Sequence, residues 1–452
     1  MTNSERTWPA GWVHEILTLK ITCEEPLYLG GRRPFQQYRE AEPVLRGDRL
    51  LAFVAERLRP RCPGGGTPGS SEGCPDPARC EYHLLFAQQE AIAFHDAWPV
   101  GRRVLGQPMV LPLTAETCKM APGFCSTWTR TEGGEPAHGI WDTLLDRYGV
   151  TPSSGTRAVY QEGCPRCHGP TKPINGYAYR KPFRPHPRSR LPADDRLAEL
   201  GYDIPQREPY QAQYERVEPA LARRGHTALS RITGTAEHGM IFSNELHIQQ
   251  SRFLARVRLS APDEKALTRK REILLEALEM PGKVGGGRSR GLGLIRVERA
   301  EQEMAVPRTP IAERVRAFNA LLKERLALSD EGVYFTITLQ SRGFPGLEAH
   351  LPFPSDQALQ TTLFPELDGC KLVFYQHRLT QQRGWSTLWG LPKPTWVQVA
   401  PGSVYLFRTP AWSDALETKL RMMELLGVGG RRIEGFGQIS VCDPFHQEVW
   451  PV

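Results

Sequence analysis

No run of about 18 apolar residues, the length a membrane-spanning helix needs, occurs anywhere in the 452-residue chain, so no span is expected. The opening residues, MTNSERTWPAGW, are polar and lack the apolar centre of a secretory signal. The resulting expectation is a cytoplasmic protein that keeps its thiols reduced. Its ten cysteines then read as metal ligands or core thiols and not as a disulfide framework. Charge of one sign is also lacking. Lys and Arg number 57 against 50 Asp and Glu, a balance of +7 that permits an anionic partner without demanding one. No Walker lysine followed by Ser or Thr is present, and no compact triad or paired-carboxylate motif emerges.

What the chain does have is one device used twice. Residues 284–297 read VGGGRSRGLGLIRV and residues 428–441 read VGGRRIEGFGQISV, identical at eight of fourteen positions at an offset of 144. The shared glycines are Gly285, Gly286, Gly291 and Gly293 in the first copy, and Gly429, Gly430, Gly435 and Gly437 in the second. Arg288 matches Arg432, and Arg290 and Arg431 add further charge. Each copy follows a helical pattern and runs into a strand pattern, whereas dinucleotide and ATP loops run from strand to helix. Two readings stand. Glycines can free backbone N–H groups, and arginine forks can grip oxygens, so such a loop suits a phosphate chain. Alternatively these are tight helix-to-strand turns with solvated arginines.

Alternation over 12–22 predicts a strand with Leu17, Leu19 and Ile21 on one face. Leu50, Leu51, Val54 and Leu58 have helical spacing. Residues 237–260 read as two paired strands. Residues 262–280 read as a helix opened by Pro262 and Asp263, and 414–426 as a helix with Leu416, Leu420 and Met423 on one face. The expected fold class is α+β, with two related domains. The first covers 1–300 and carries a long insertion at about 105–225; a connecting helix lies within 301–330; the second domain covers 331–452.

Within the insertion, Cys164-Pro-Arg-Cys167 has zinc-knuckle spacing, with Cys118 and Cys125 as the other two ligands of a structural zinc site and His168 as a weaker substitute. Zinc would anchor a segment with little core of its own. Cys62, Cys74, Cys80 and His83 have irregular spacing that leaves a second site open, and Cys23, Cys370 and Cys442 read as core thiols. In GYAYRKPFRPHPRSR (176–190) aromatics alternate with Arg180, Lys181 and Arg184, a pattern fit for stacking bases beside phosphates or for a solvated basic loop.

Together these passages resemble the RAMP superfamily of CRISPR-associated proteins. GHTALSRITGTAEHGMIFSNELHI (225–248), which contains Arg231, is similar to the family's arginine and "tGtA" turn. PLTAETCKMAPGF (112–124), HGIWDTLL (138–145) and CPRC (164–167) resemble the large double-RAMP, handle-binding subunit of type III-D effector complexes. The resemblance implies two ferredoxin-like (RRM) domains, each ending in a glycine-rich loop. It also implies a non-catalytic RNA-binding role in antiviral defence: holding the 5′ handle of the guide RNA (crRNA) and contacting backbone RAMP subunits and the large signalling subunit. Some family members are metal-independent endoribonucleases that use a histidine as general base. His226 and His238 are the candidates here, while Asp48, at a helix start, reads as a cap. A zinc-containing protein-interaction module without an RNA role is the third alternative.

Overall fold

A computed structural model describes residues 11–30, 37–65, 73–87, 90–100, 107–124, 137–149, 163–180, 214–300, 309–326, 331–346, 355–386 and 390–448. By contacts the chain divides into two compact units. The first comprises Met1–Val104, Glu218–Glu303 and Arg431–Phe436; the second comprises Leu105–Val217, Met304–Gly430 and Gly437–Val452.

The first unit is built on strand β1 (Val13–Cys23), helix α1 (Gly47–Leu58), the short helix α2 (Glu81–Phe86), strands β2 (Ile92–Phe94) and β3 (Arg252–Ala261), helix α3 (Glu264–Glu279) and strand β4 (Leu294–Arg299). The sheet runs β4-β1-β3-β2 with antiparallel neighbours. Leu17, Leu19 and Ile21 are buried on one face of β1, as the alternation predicts. They meet Leu50, Phe53, Val54 and Leu58 of α1 and Leu267, Ile273, Leu274 and Leu278 of α3 in one apolar core. The carboxylate of Asp263 caps α3 by accepting the Ala266 N–H at 2.8 Å. Asp48 is not a cap. The residue before α1 is Arg46, and the Gly47 N–H is instead bound by Asp96 at 2.8 Å.

Strand Ala236–His247 does not pair with β3. It forms a hairpin with Leu221–Leu229, a strand that periodicity alone did not mark. Its tip carries the RITGTA passage.

The second unit repeats the same alternation. Helix α4 (Ile311–Leu326) is followed by β5 (Val333–Leu339), α5 (Asp356–Leu363), β6 (Lys371–Gln376), β7 (Val404–Thr409), α6 (Asp414–Leu426) and β8 (Ile439–Val441). The sheet order β8-β5-β7-β6 matches, position for position, that of the first unit. Ser413 caps α6 through the Leu416 N–H, and Leu416, Leu420, Met423 and Leu426 form its buried face. The chain is thus of the α+β class, with antiparallel sheets.

Segment 105–217 groups with the second unit, although its place in the chain put it in the first domain. The reason is a set of long-range bonds invisible to local patterning. The Leu113 N–H donates to the Gly402 carbonyl at 2.7 Å, Gln376 donates to the Leu113 carbonyl at 2.7 Å, and the Val110 N–H donates to Gln340 at 3.0 Å. Asp142 and His446, both fully buried, pair at 2.6 Å, and Thr338 lies 2.8 Å from the other imidazole nitrogen.

Burial alone would discourage a charged imidazole, but the Asp142 carboxylate outweighs it and holds His446 above its ordinary value. A raised pKa means stability that is complete below the unfolded value of about 6.5 and lost as pH climbs through the folded one. The second unit is therefore expected to weaken towards alkaline pH, and Asp142→Asn to remove that dependence. Denaturant midpoints taken from about pH 6 to about pH 9 test this; a profile shared by both proteins would refute it.

Candidate nucleic-acid interface and metal centres

The two glycine loops are the same structure. In each, the loop glycines adopt left-handed backbone: φ is 80°, 71° and 92° at Gly285, Gly291 and Gly293, and 67°, 83° and 71° at Gly429, Gly435 and Gly437. At the one mismatch among these positions, Gly287 (φ 72°) is replaced by Arg431 (φ 55°), which keeps the left-handed turn. The Val284 N–H donates to the Gly293 carbonyl, and the Val428 N–H to the Gly437 carbonyl, each at 2.9 Å.

Each loop also docks on the segment after the first strand of its own sheet. The Gly286 and Gly293 N–H groups donate to the carbonyls of Tyr28 and Pro26. Those of Gly430 and Gly437 donate to the carbonyls of Phe344 and Arg342. A Cβ on Gly286 or Gly430 would stand 2.7 Å or 2.9 Å from the Tyr28 or Phe344 ring. These glycines therefore let backbone approach backbone, and several of their N–H groups are already bonded within the protein.

What separates the copies is the tip. Arg288, Ser289, Arg290 and Gly291 are all exposed. Arg288 Nη1 alone donates to both carboxylate oxygens of Glu56 of α1, at 2.9 and 3.1 Å, with both side chains about half exposed. Such a surface pair holds by only about 0–1 kcal/mol, so a phosphate could replace the carboxylate. No ion pair is made by Arg290 among the described residues.

In the second copy, Arg432 is only 12% exposed and is bound to Glu90 at 2.7 Å, and Arg431 is held by Glu434 at 2.5 and 2.9 Å and lies over the Phe436 ring. Both arginines are committed to the fold. Buried beside Arg432 is Arg258, whose guanidinium donates to the Glu90 carbonyl at 2.8 Å; burial, and then the Arg432 charge, pull it down to about 10.

The hairpin tip at 231–235 is exposed along its length and carries Arg231 and the solvent-facing Ile232. His226, on the adjoining strand, stacks on Phe242 at 4.9 Å. The side chain of His238 lies outside the described residues, as do Lys181 and Arg184; Arg180 ends a strand, Tyr177–Arg180. The Asp142–His446–Thr338 chain has the order of an activated nucleophile, but all three residues are sealed from solvent, so no substrate reaches them.

Among the described residues, two clusters of side chains able to hold a metal ion stand out, each with all donor atoms within 4.8 Å of one another. The first joins Cys118, His138, Cys164 and Cys167. Cys125, expected as the fourth ligand, lies outside the described residues, and His138 occupies the fourth position. Sulfur to sulfur, Cys118 and Cys167 are 3.6 Å apart, and Cys164 is 3.4 Å from His138 Nδ1. A tetrahedral zinc, with bonds of about 2.3 Å to sulfur and about 2.0 Å to nitrogen, holds its ligands about 3.5–3.8 Å apart. At Cys118, burial works against ionisation, but the N–H groups of Ala121 and Met120 outweigh it and hold the thiol below its usual value. Amides aimed at sulfur suit a thiolate ligand. His168, held at φ 54° by its N–H bond to the Cys164 carbonyl, is not in the cluster. The second cluster joins Cys62, Cys74, Cys80 and His83.

His138 was within reach of sequence reasoning, because the knuckle needed ligands and HGIW lies between its two cysteine groups. Glu90, by contrast, is 342 residues from Arg432, and no local pattern links them.

Among protein families, the RAMP superfamily model matches residues 20–296. A search of curated proteins gives no match. Among solved structures, the chain is similar to one in "Cryo-EM structure of the Type III-B Cmr-beta bound to cognate target RNA", at 8% identity and a TM-score of 0.36, covering 86% of each chain. Another match is to the same complex with AMPPnP, at 8% identity and a TM-score of 0.36, covering 89% of this chain and 92% of that one. A third is to its apo state, at 12% identity and a TM-score of 0.29, covering 64% and 98%.

Proposed function

The chain belongs to the RAMP superfamily, and from that premise we propose that it is a non-catalytic, RNA-binding structural subunit of a type III CRISPR effector complex. On this reading both units are ferredoxin-like domains, and the chain holds the 5′ handle of the guide RNA while contacting backbone RAMP subunits and the large signalling subunit. The TCK and CPRC passages of segment 105–217 favour the D subtype, and Cys118, His138, Cys164 and Cys167 hold a structural zinc there.

The observation that carries the reading is the exposed tip of the first glycine loop. Arg288 sits in a weak, replaceable carboxylate pair and Arg290 points to solvent, so both can meet phosphates without breaking the core. Arg231, exposed on the hairpin tip, is a further cation of the same unit. The second loop, with its arginines bound to Glu90 and Glu434, serves the architecture.

The test is to express the chain with its neighbouring effector subunits and a repeat-spacer array and to sequence the RNA that copurifies. Guide RNAs with a common 5′ handle, protected only when this chain is present, are the expected result; protection that persists without it removes the proposal. For the purified chain, Arg288→Ala combined with Arg290→Ala is expected to weaken binding to handle RNA. The slope of log affinity against log salt should become shallower by about 0.7 per lost contact, about 1.4 in all. Arg432→Ala should leave that slope unchanged.

A further inference from the structure

We propose that Cys62, Cys74, Cys80 and His83 bind a second structural zinc ion, in the first unit, which ties the end of α1 to the start of α2.

The four residues come from three short pieces of chain, which the Arg61–Glu81 ion pair and the buried Tyr82, Leu85 and Phe86 of α2 already bring together. Cys62 follows the single turn Arg59–Arg61 that extends α1, Cys74 lies in a Gly/Pro loop, and Cys80 and His83 flank and enter α2. Gly64 passes so close to Gly73 that a Cβ on it would stand 2.2 Å from the Gly73 carbonyl oxygen, and this crossing sets Cys62 beside Cys74. The Cys80 N–H donates to the Asp76 carbonyl at 3.0 Å, turning the chain back, and the Asp76 amide is directed at the Cys74 sulfur. All four donor atoms lie within 4.8 Å of one another, and Cys62 Sγ is 3.4 Å from His83 Nε2.

That spacing suits one tetrahedral ion. It is too compact for an iron–sulfur cluster, whose several atoms hold ligands farther apart. Three thiolates and an imidazole select zinc over calcium or magnesium, which take oxygen ligands.

His83 supplies a second observation. It is 3% exposed, its Nδ1 has no hydrogen-bond partner, and its Nε2 points into the sulfurs. Burying an imidazole against weakly bonding thiols is costly, and a metal bond at Nε2 offsets that cost. Around the cluster, Cys62, Cys74 and Cys80 pack against the core formed by β1, α1 and α3. A metal there extends that core into a segment too rich in glycine and proline to build its own. It also fixes the end of α1, the helix that carries Glu56, the partner of Arg288.

The inference does not rest on RNA binding or on the other cluster. The experiment is the zinc content of the full chain, expressed with zinc and dialysed, measured by elemental analysis for wild type, Cys74→Ser/Cys80→Ser and Cys164→Ser/Cys167→Ser. Two zinc ions per chain are expected in wild type and one in each variant. One ion in wild type that survives Cys74→Ser/Cys80→Ser overturns this site alone. One ion in wild type that survives Cys164→Ser/Cys167→Ser and is lost in Cys74→Ser/Cys80→Ser leaves it standing while removing the zinc of segment 105–217. Should Cys74→Ser/Cys80→Ser not fold, cobalt(II) titration of the metal-stripped wild type decides. Thiolate-to-cobalt absorption that rises to two equivalents supports the site; where it saturates at one, the same titration of Cys164→Ser/Cys167→Ser assigns the ion, a remaining equivalent supporting the site and its loss overturning it.

Discussion

Gly293→Ala and Gly437→Ala are each expected to destabilise the unit that holds them by about 2–5 kcal/mol. Two independent costs add. An L-residue at a left-handed φ loses roughly 1–2 kcal/mol. The new Cβ would also stand 2.1 Å from the Val284 carbonyl oxygen in one loop and 1.9 Å from the Val428 carbonyl oxygen in the other, a distance only backbone movement can relieve. Forced shifts of this kind cost about 1–3 kcal/mol. The Val284 N–H to Gly293 carbonyl bond, and its counterpart between Val428 and Gly437, would be disturbed in the process.

Gly291→Ala is the matched control. It has the same backbone hand, φ 71°, but open space around its Cα, so only the conformational cost of about 1–2 kcal/mol remains. Urea denaturation of the three variants, followed by circular dichroism, measures the difference. Equal losses at Gly291 and Gly293 would show that close packing is not what the glycine provides.

This ordering of glycines also shows what the sequence could reveal. The repeat is visible by eye, and its order of helix, loop and strand holds in both copies. Leu17, Leu19 and Ile21 on β1, and Leu416, Leu420 and Met423 on α6, form buried faces because their spacing leaves one side apolar, whatever the partner. The repeat could not show that its two tips differ in use. Arg288 and Arg432 are matched residues, yet one faces solvent and the other is sealed against Glu90, because exposure depends on what the fold brings alongside.

The same limit hid the hairpin strand Leu221–Leu229. Its residues are mostly exposed, so no core-facing alternation marks it, and only its ladder with Ala236–His247 defines it. Donor counting could point to metal sites but not complete both. Cys62, Cys74, Cys80 and His83 were legible as a set because three of them lie within ten residues, while His138, which closes the other cluster, is chosen by the path of the chain.

The second unit's largest single vulnerability is expected at Arg314 and Glu424. They form a bidentate pair at 2.9 Å on both arms, with side chains only 6% and 10% exposed. Each partner has further duties. The Val441 N–H donates to Glu424 at 2.7 Å, the Arg314 guanidinium donates to the Val441 and Thr309 carbonyls, and these bonds tie α4 and α6 to β8. Burial works against the Arg314 charge, but the Glu424 carboxylate outweighs it and holds the guanidinium pKa above its usual value.

Removing one partner leaves the other charge buried and unpaired, at a cost of about 3–5 kcal/mol. Glu424→Ala is therefore expected to unfold the second unit at much lower denaturant while leaving the first unit's transition in place. Replacing both, with Arg314→Met and Glu424→Leu, removes the orphaned charge and should recover most of the loss. Two transitions resolved by differential scanning calorimetry, with the double variant more stable than Glu424→Ala alone, would establish the pair's role. A double variant no better than the single one would mean that the bonds to the Val441 backbone, and not the paired charges, hold α4 and α6 against β8.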